Sequence, residues 1–277
     1  MDTFSREGLV FDVTDSGPPD GETIVLLHGF PQNRHEWDAV TPHLVDAGYR
    51  TLAPDQRGYS PRARPAGRRA YRQSELVADV LALIEESASA KVHLVGHDWG
   101  ALVAWAFASR HADRLHTLTA VSVPHPQAFT SAMLHGQLLK SWYMGLFQLP
   151  VLPERLLPTR RGVALLGGPG QAPWQIRRYL DALGPDGLTA ALNWYRAMPF
   201  SLREHGYARP AAVPTTYVWS DRDAALGRQA AERTRKFVTG PYRFEVLLGV
   251  GHWIPDEAPA VLAELILDRA RGDRSSG

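Results

Sequence analysis

Short apolar runs recur along the chain, each closed by turn residues: Thr23 to Leu27, Tyr49 to Ala53, Lys91 to Val95, Leu118 to Val123, Thr215 to Trp219 and Tyr242 to Leu248. Several are continuously apolar rather than alternating, the pattern of strands covered on both faces. Helical stripes lie between them. Gln73 to Glu86 puts Leu76, Val77, Val80, Leu81 and Ile84 on one side, and Ala101 to Ser109 and Pro259 to Ala270 also read as helices. Strands alternating with helices predict an α/β fold with right-handed crossovers and a doubly wound, mostly parallel sheet. Leu9 to Val13 adds a strand expected at an antiparallel edge.

The rhythm breaks between Gln127 and Tyr207. Helical patterns there (Met133 to Phe147, Trp174 to Leu183, Leu188 to Met198) are separated by Pro and Gly. No strand run interrupts these ~80 residues, far more than an ordinary connection. The expected organisation is a core domain of residues 1–126 and 208–277 with a helical cap, residues 127–207, inserted into it. Gly167-Gly168-Pro169-Gly170 reads as a flexible turn; it lacks the Lys-Ser/Thr pair of a phosphate loop.

Composition narrows the chemistry. The 277 residues are 44% hydrophobic and 21% charged, ordinary for a globular enzyme. A net charge of +1 gives no reason to expect nucleic acid or an acidic membrane surface as partner. With no cysteine, thiolate catalysis, disulfides and Cys-ligated zinc are excluded. Asp2, Arg6, Glu7, Asp12 and Asp15 interrupt what would be the apolar part of a signal peptide, and no apolar run approaches the ~20 residues of a membrane span. These features lead us to expect a cytoplasmic protein.

Gly96-His97-Asp98-Trp99-Gly100 follows one strand run and opens a helix. That is the setting of the nucleophile elbow, G-x-S-x-G, with Asp98 in the serine position. Asp98 as a plain helix N-cap is the alternative. His28-Gly29-Phe30-Pro31 follows the strand Thr23 to Leu27, where this architecture builds an oxyanion hole; the donors would be the amides of Phe30 and Trp99. Gly251-His252-Trp253 follows the last strand. A lone loop histidine is commonly structural, but His252 stands last in the order nucleophile, acid, histidine. The acid should then follow the strand Thr215 to Trp219, where Asp223 is the choice and Asp221 the alternative. Asp256 reads as a polar residue at a helix start, and His28 and His97 as shaping their turns. Arg57, Arg62, Arg64, Arg68, Arg69 and Arg72, with no acid between them, read as a solvated loop near the site's rim.

Taken together, HGFP at 28–31, DQRGYS at 55–60, GHDWG at 96–100, the Asp223 loop and GHW at 251–253 resemble the soluble epoxide hydrolases of the α/β-hydrolase superfamily, across nearly the whole chain. Haloalkane and fluoroacetate dehalogenases are close relatives with the same Asp nucleophile. Trp142-Tyr143 with Phe147-Gln148-Leu149-Pro150, and Asn193-Trp194-Tyr195-Arg196, are similar to the cap segments that hold two ring-opening tyrosines. The resemblance thus implies Tyr143 and Tyr195 facing Asp98, an ester on Asp98 hydrolysed through His252 and Asp223, an epoxide and water as reactants, and no cofactor or metal. The chain would be a monomer or homodimer. Phe30 stands where Asn-type haloalkane dehalogenases carry Asn, and Trp99 where fluoroacetate dehalogenases carry Arg. Ser220 departs from the family's usual Gly. A dehalogenase and a non-catalytic ligand-binding protein are the competing readings.

Overall fold

The computed structural model describes residues 1–133, 137–167 and 172–274. The strands are β1 (Thr3–Arg6), β2 (Leu9–Ser16), β3 (Thr23–Leu27), β4 (Arg50–Pro54), β5 (Val92–His97), β6 (Leu115–Val121), β7 (Thr215–Ser220) and β8 (Tyr242–Leu247). They form one sheet in the order β1-β2-β4-β3-β5-β6-β7-β8. From β4 to β8 every pairing is parallel, whereas β1 and β2 are antiparallel additions. Strand β3 is buried at every position, as are β5 and β7, which explains their unbroken apolar character. The strand around Leu9 was expected at the edge; it lies one place inside, because β1 takes the edge. Thr3–Arg6 has a single buried apolar residue, Phe4, and so no readable pattern; the hairpin and a Phe4–Phe11 ring stack at 4.5 Å hold it.

The core helices are α1 (Thr41–Asp46), α2 (Gln73–Glu86) and α3 (Trp99–Arg110). Between β6 and β7 the described residues hold no named strand, and their helices are α4 (Pro126–Ala132), α5 (Gln137–Lys140), α6 (Trp142–Phe147), α7 (Leu152–Leu156), α8 (Arg160–Gly167) and α9 (Pro173–Ser201). After β7 come α10 (Arg228–Arg233), α11 (Ile254–Glu257) and α12 (Pro259–Arg274). The single helix expected over Met133 to Phe147 is divided, with Ser141 between α5 and α6; residues 134–136 lie outside the described residues. Within α9, Gly184 leaves helical geometry (φ 61°, ψ −178°) ahead of Pro185, so the two helices expected there are halves of one broken rod. Of the glycine-rich turn, only Gly167 falls within the described residues.

Buried polar groups fix this helical stretch over the sheet. Arg196 spans α6, α7 and α9: it pairs with both carboxylate oxygens of Glu154 at 2.7 and 3.0 Å and donates to the carbonyls of Phe147 and Leu149. In the arginine-rich loop Arg62, Arg68 and Arg69 are exposed, as expected, and only Arg57 departs from the solvated reading. Arg57 is 3% exposed and grips Asp79 of α2 with two bonds of 2.7 Å, while its carbonyl accepts the indole N–H of Trp194 at 2.7 Å. The acids that neutralise it, Glu75 and Asp79, are distant in sequence and invisible to a local count. His125 ties the two ends of the stretch together: its ring accepts from the Gln127 amide at 3.2 Å and donates to the Arg209 carbonyl at 3.1 Å. Burial pushes that imidazole down to about 4, so it stays neutral in the tautomer these bonds require.

Candidate active site

β5 ends at His97 and α3 begins at Trp99, leaving Asp98 alone in the turn at φ 50° and ψ −117°. A non-glycine residue held at positive φ costs on the order of 1–3 kcal/mol and projects its side chain sharply out of the chain path. Two glycines make the turn sterically feasible. A Cβ on Gly96 would sit 2.3 Å from the Gly100 carbonyl oxygen, and one on Gly100 would sit 2.1 Å from that of Leu27. Asp98 occupies the N-cap position of α3, yet its side chain makes no capping bond. Its Oδ1 instead accepts the Phe30 amide at 2.9 Å. Gly29 permits that approach, since a Cβ there would lie 2.5 Å from the Asp98 Cβ.

His252 stands on the other side of Asp98, with Nε2 3.4 Å from Oδ2. Its Nδ1 donates to Asp223 Oδ2 at 2.8 Å, and Asp223 Oδ1 accepts the amides of Ala225 and Leu226 at 2.7 and 2.8 Å. The Asp223 side chain is fully buried. Asp221 is exposed and takes the Gly249 amide at 2.7 Å, closing a turn away from the histidine. Asp223→Asn is therefore expected to slow any step that needs His252 as a base by at least tenfold, while Asp221→Asn changes it less than about twofold. Stopped-flow kinetics on the two variants would expose the reverse ranking. Ser220 has a purpose at the departure from the family pattern: its hydroxyl donates to the Gly251 carbonyl at 2.5 Å, tying the acid loop to the histidine loop.

Burial works against charge on all three groups, and their mutual arrangement overrides it. Burial lowers His252, but the carboxylates of Asp223 and Asp98 carry it up to about 10, so the free protein holds an imidazolium. Burial raises Asp98, but His252, His97 and the Phe30 amide bring it below the ordinary carboxylate range. Beneath the elbow, His97 Nδ1 meets Glu36 at 2.5 Å and its Nε2 donates to the His252 carbonyl at 2.9 Å. The other Glu36 oxygen accepts the Gly29 amide at 3.0 Å. One buried acid thus braces the His28–Pro31 loop and the elbow, and through His97 the loop that carries His252. Sequence reading gave His97 only a turn-shaping part and missed Glu36, which looks like any surface acid in a short turn.

Two cavities, of ≈ 470 and ≈ 190 Å³, meet at the site; Asp98, Tyr143 and Tyr195 line both. Tyr143 comes from α6 and Tyr195 from α9, with ring centroids 6.4 Å apart. Phe30 and Phe147 pack edge-on against Tyr195 at 5.5 and 4.9 Å. Burial first, then the Asp98 charge, raises both phenols far above their usual range, so each keeps its proton. Trp99 opens α3, and its backbone N–H is among those a helix N-terminus leaves without an intrahelical acceptor. Among the described residues no group of three or more His, Cys, Asp or Glu could hold a metal ion, and no helix is long and apolar enough to cross a membrane.

The pattern that defines the alpha/beta hydrolase fold matches residues 22–160. The chain belongs to that family. This α/β-hydrolase is 37% identical over 277 aligned residues to the AB hydrolase superfamily protein YfhM of Bacillus subtilis, covering 95% of both chains. It is 30% identical to epoxide hydrolase A of Mycobacterium tuberculosis, covering 96% of its own length and 95% of the relative's. Among solved structures, epoxide hydrolase A from Mycobacterium thermoresistibile superposes with a TM-score of 0.82 at 28% identity, over 98% of this α/β-hydrolase and 97% of that chain.

Proposed function

We propose that this α/β-hydrolase converts epoxides to vicinal diols through a covalent ester on Asp98, with residues 127–207 acting as a cap that brings two acids to the reaction. The observation that carries the reading is the pair of protonated phenols, Tyr143 and Tyr195, sharing a cavity junction with an ionised Asp98. An oxirane presents an sp³ carbon, which a carboxylate can displace in line. Its departing oxygen is about as basic as hydroxide (conjugate acid pKa ~15.7) and needs a proton. A phenol is acid enough to supply one while staying protonated at neutral pH.

In the first step an Asp98 oxygen attacks one ring carbon, the C–O bond breaks, and a tyrosine proton moves to the alkoxide. Asp98 is now a neutral ester. The charge that raised both phenols and helped to raise His252 is gone. The imidazolium can therefore return its proton to the tyrosinate and become a base. Neutral His252, oriented by Asp223, then deprotonates a water that attacks the ester carbonyl carbon. The Phe30 and Trp99 amides stabilise the resulting oxyanion. Collapse expels the diol's alkoxide, which takes the proton from His252, and leaves Asp98 as the carboxylic acid with one hydrogen from water. That proton passes to His252 and restores the carboxylate–imidazolium pair.

This sequence has an isotopic signature. In a single turnover in H₂¹⁸O, the label should enter the Asp98 carboxylate, because water attacks the ester carbonyl and the old Asp98 oxygen leaves in the diol. Mass spectrometry of the Asp98 peptide and of the diol reads both sites. Label in the first-turnover diol would mean direct attack of water on the epoxide. Paired panels of epoxides and haloalkanes set the class: turnover confined to haloalkanes would make the protein a dehalogenase, and ligands released unchanged would make it a binding protein.

A further inference from the structure

The short helix α5 lies against the loop that carries Asp223. Gln137, 2% exposed, donates through Nε2 to the Ala225 carbonyl at 2.8 Å and accepts the Gly227 amide through Oε1 at 2.9 Å. One turn later Lys140 donates to the carbonyl of Asp223 at 2.9 Å, with that of Leu226 at 3.5 Å. Gly227 suits this contact, since a Cβ on it would lie 3.3 Å from Gln137 Oε1. These partners bracket the segment whose amides, Ala225 and Leu226, hold Asp223 Oδ1. Lys140 also lines the smaller cavity beside His252. Its cation binds the Asp223 main chain, which leaves Asp223 Oδ2 to His252.

We infer that Gln137 and Lys140 are positioning residues for the hydrolytic half-reaction, through which the cap helix that precedes Tyr143 holds the relay acid in register with His252. The inference rests on the ester mechanism above and adds a task to the cap. The same stretch of chain supplies a ring-opening tyrosine and steadies the acid needed for the second step. Gln137 closes the connection within the cap as well, donating to the Ser141 hydroxyl at 2.9 Å immediately ahead of α6. Gln137 is the stronger member, being buried and bonded in both directions. Lys140 is an exposed residue and contributes less.

The kinetic consequence differs from that of a general structural loss. When only ester hydrolysis slows, kcat and KM fall together and kcat/KM, set by binding and alkylation, is unchanged. Gln137→Leu is expected to lower the hydrolysis rate about 10- to 100-fold, the scale of misplacing a catalytic group by an ångström. Lys140→Met should lower it a few-fold and Lys140→Arg should restore it. Alkylation should stay within about twofold of wild type in all three. Stopped-flow fluorescence with an aryl epoxide, checked by the amount of esterified Asp98 at steady state, separates the rates. Lys140→Met, at an exposed position, keeps the test decisive if Gln137→Leu fails to fold. Slower alkylation with intact hydrolysis would show that α5 serves Tyr143 instead and would overturn the inference, as would unchanged hydrolysis in folded variants. Absence of an Asp98 ester in the wild type would overturn the mechanism as well, so the two failures are told apart.

Discussion

Replacing both Tyr143 and Tyr195 with phenylalanine is expected to abolish measurable epoxide ring opening. Both phenols line the cavity junction beside Asp98, and both remain protonated there. Two donors to one oxygen share a task, so each single Tyr→Phe variant should slow alkylation yet leave activity. General acid catalysis contributes roughly 10²–10⁴-fold, and among the described residues the two phenols are the acids that line both cavities together with Asp98. The double variant should therefore fall further than the product of the singles. Phenylalanine keeps the ring contacts with Phe30 and Phe147, so the fold should survive. Single-turnover alkylation by a reactive aryl epoxide, measured for wild type, both singles and the double, decides the matter. Chloride or bromide leaves without a proton, so a dehalogenase would keep most of its alkylation rate in the double variant. Near wild-type ring opening in that variant would remove the basis for an epoxide substrate.

Features encoded locally were legible in the sequence, and features made by distant contacts were not. The buried strands β3, β5 and β7 announce themselves because both faces are covered, and Gly96 and Gly100 because a turn this tight admits no Cβ. Strand β1 escaped because four residues with one buried apolar side chain carry no period. The acid-loop choice between Asp221 and Asp223 stayed open, since both follow the same strand and only the three-dimensional turn points one of them at His252. Arg57 was misjudged for the same reason: its partners stand on α2, 22 positions along the chain at Asp79. Tyr143 and Tyr195 are a middle case. Their helical surroundings read as ordinary core aromatics, and only the resemblance to a known family singled them out. Glu36, Gln137 and Lys140 carry no signal of any kind in sequence, because polar residues that brace loops are indistinguishable from solvated ones until the loops are in place.

His252→Gln should convert the enzyme into a trap that alkylates once and stops. In the proposed mechanism the ring-opening step uses Asp98 as nucleophile and the tyrosines as acids, and needs no base. Hydrolysis of the ester needs a base, and glutamine cannot supply one. The loss should therefore fall almost wholly on the second step, with alkylation retained to within about tenfold. That allowance reflects the imidazolium now paired with Asp98, whose removal takes away a charge 3.4 Å from Oδ2. The missing cation should let the Asp98 pKa rise toward that of a buried carboxyl, since His252 is the foremost of the groups that hold it down. Alkylation in the variant should accordingly fall off at a higher pH than in the wild type as the medium is acidified, because only the ionised carboxylate attacks. Mass spectrometry after exposure to an aryl epoxide should find one substrate mass added, on the peptide containing Asp98. An adduct on another residue, or none at concentrations that saturate the wild type, would reject Asp98 as the nucleophile. An unshifted acid limb would reject the electrostatic coupling between His252 and Asp98 while leaving the ester itself intact.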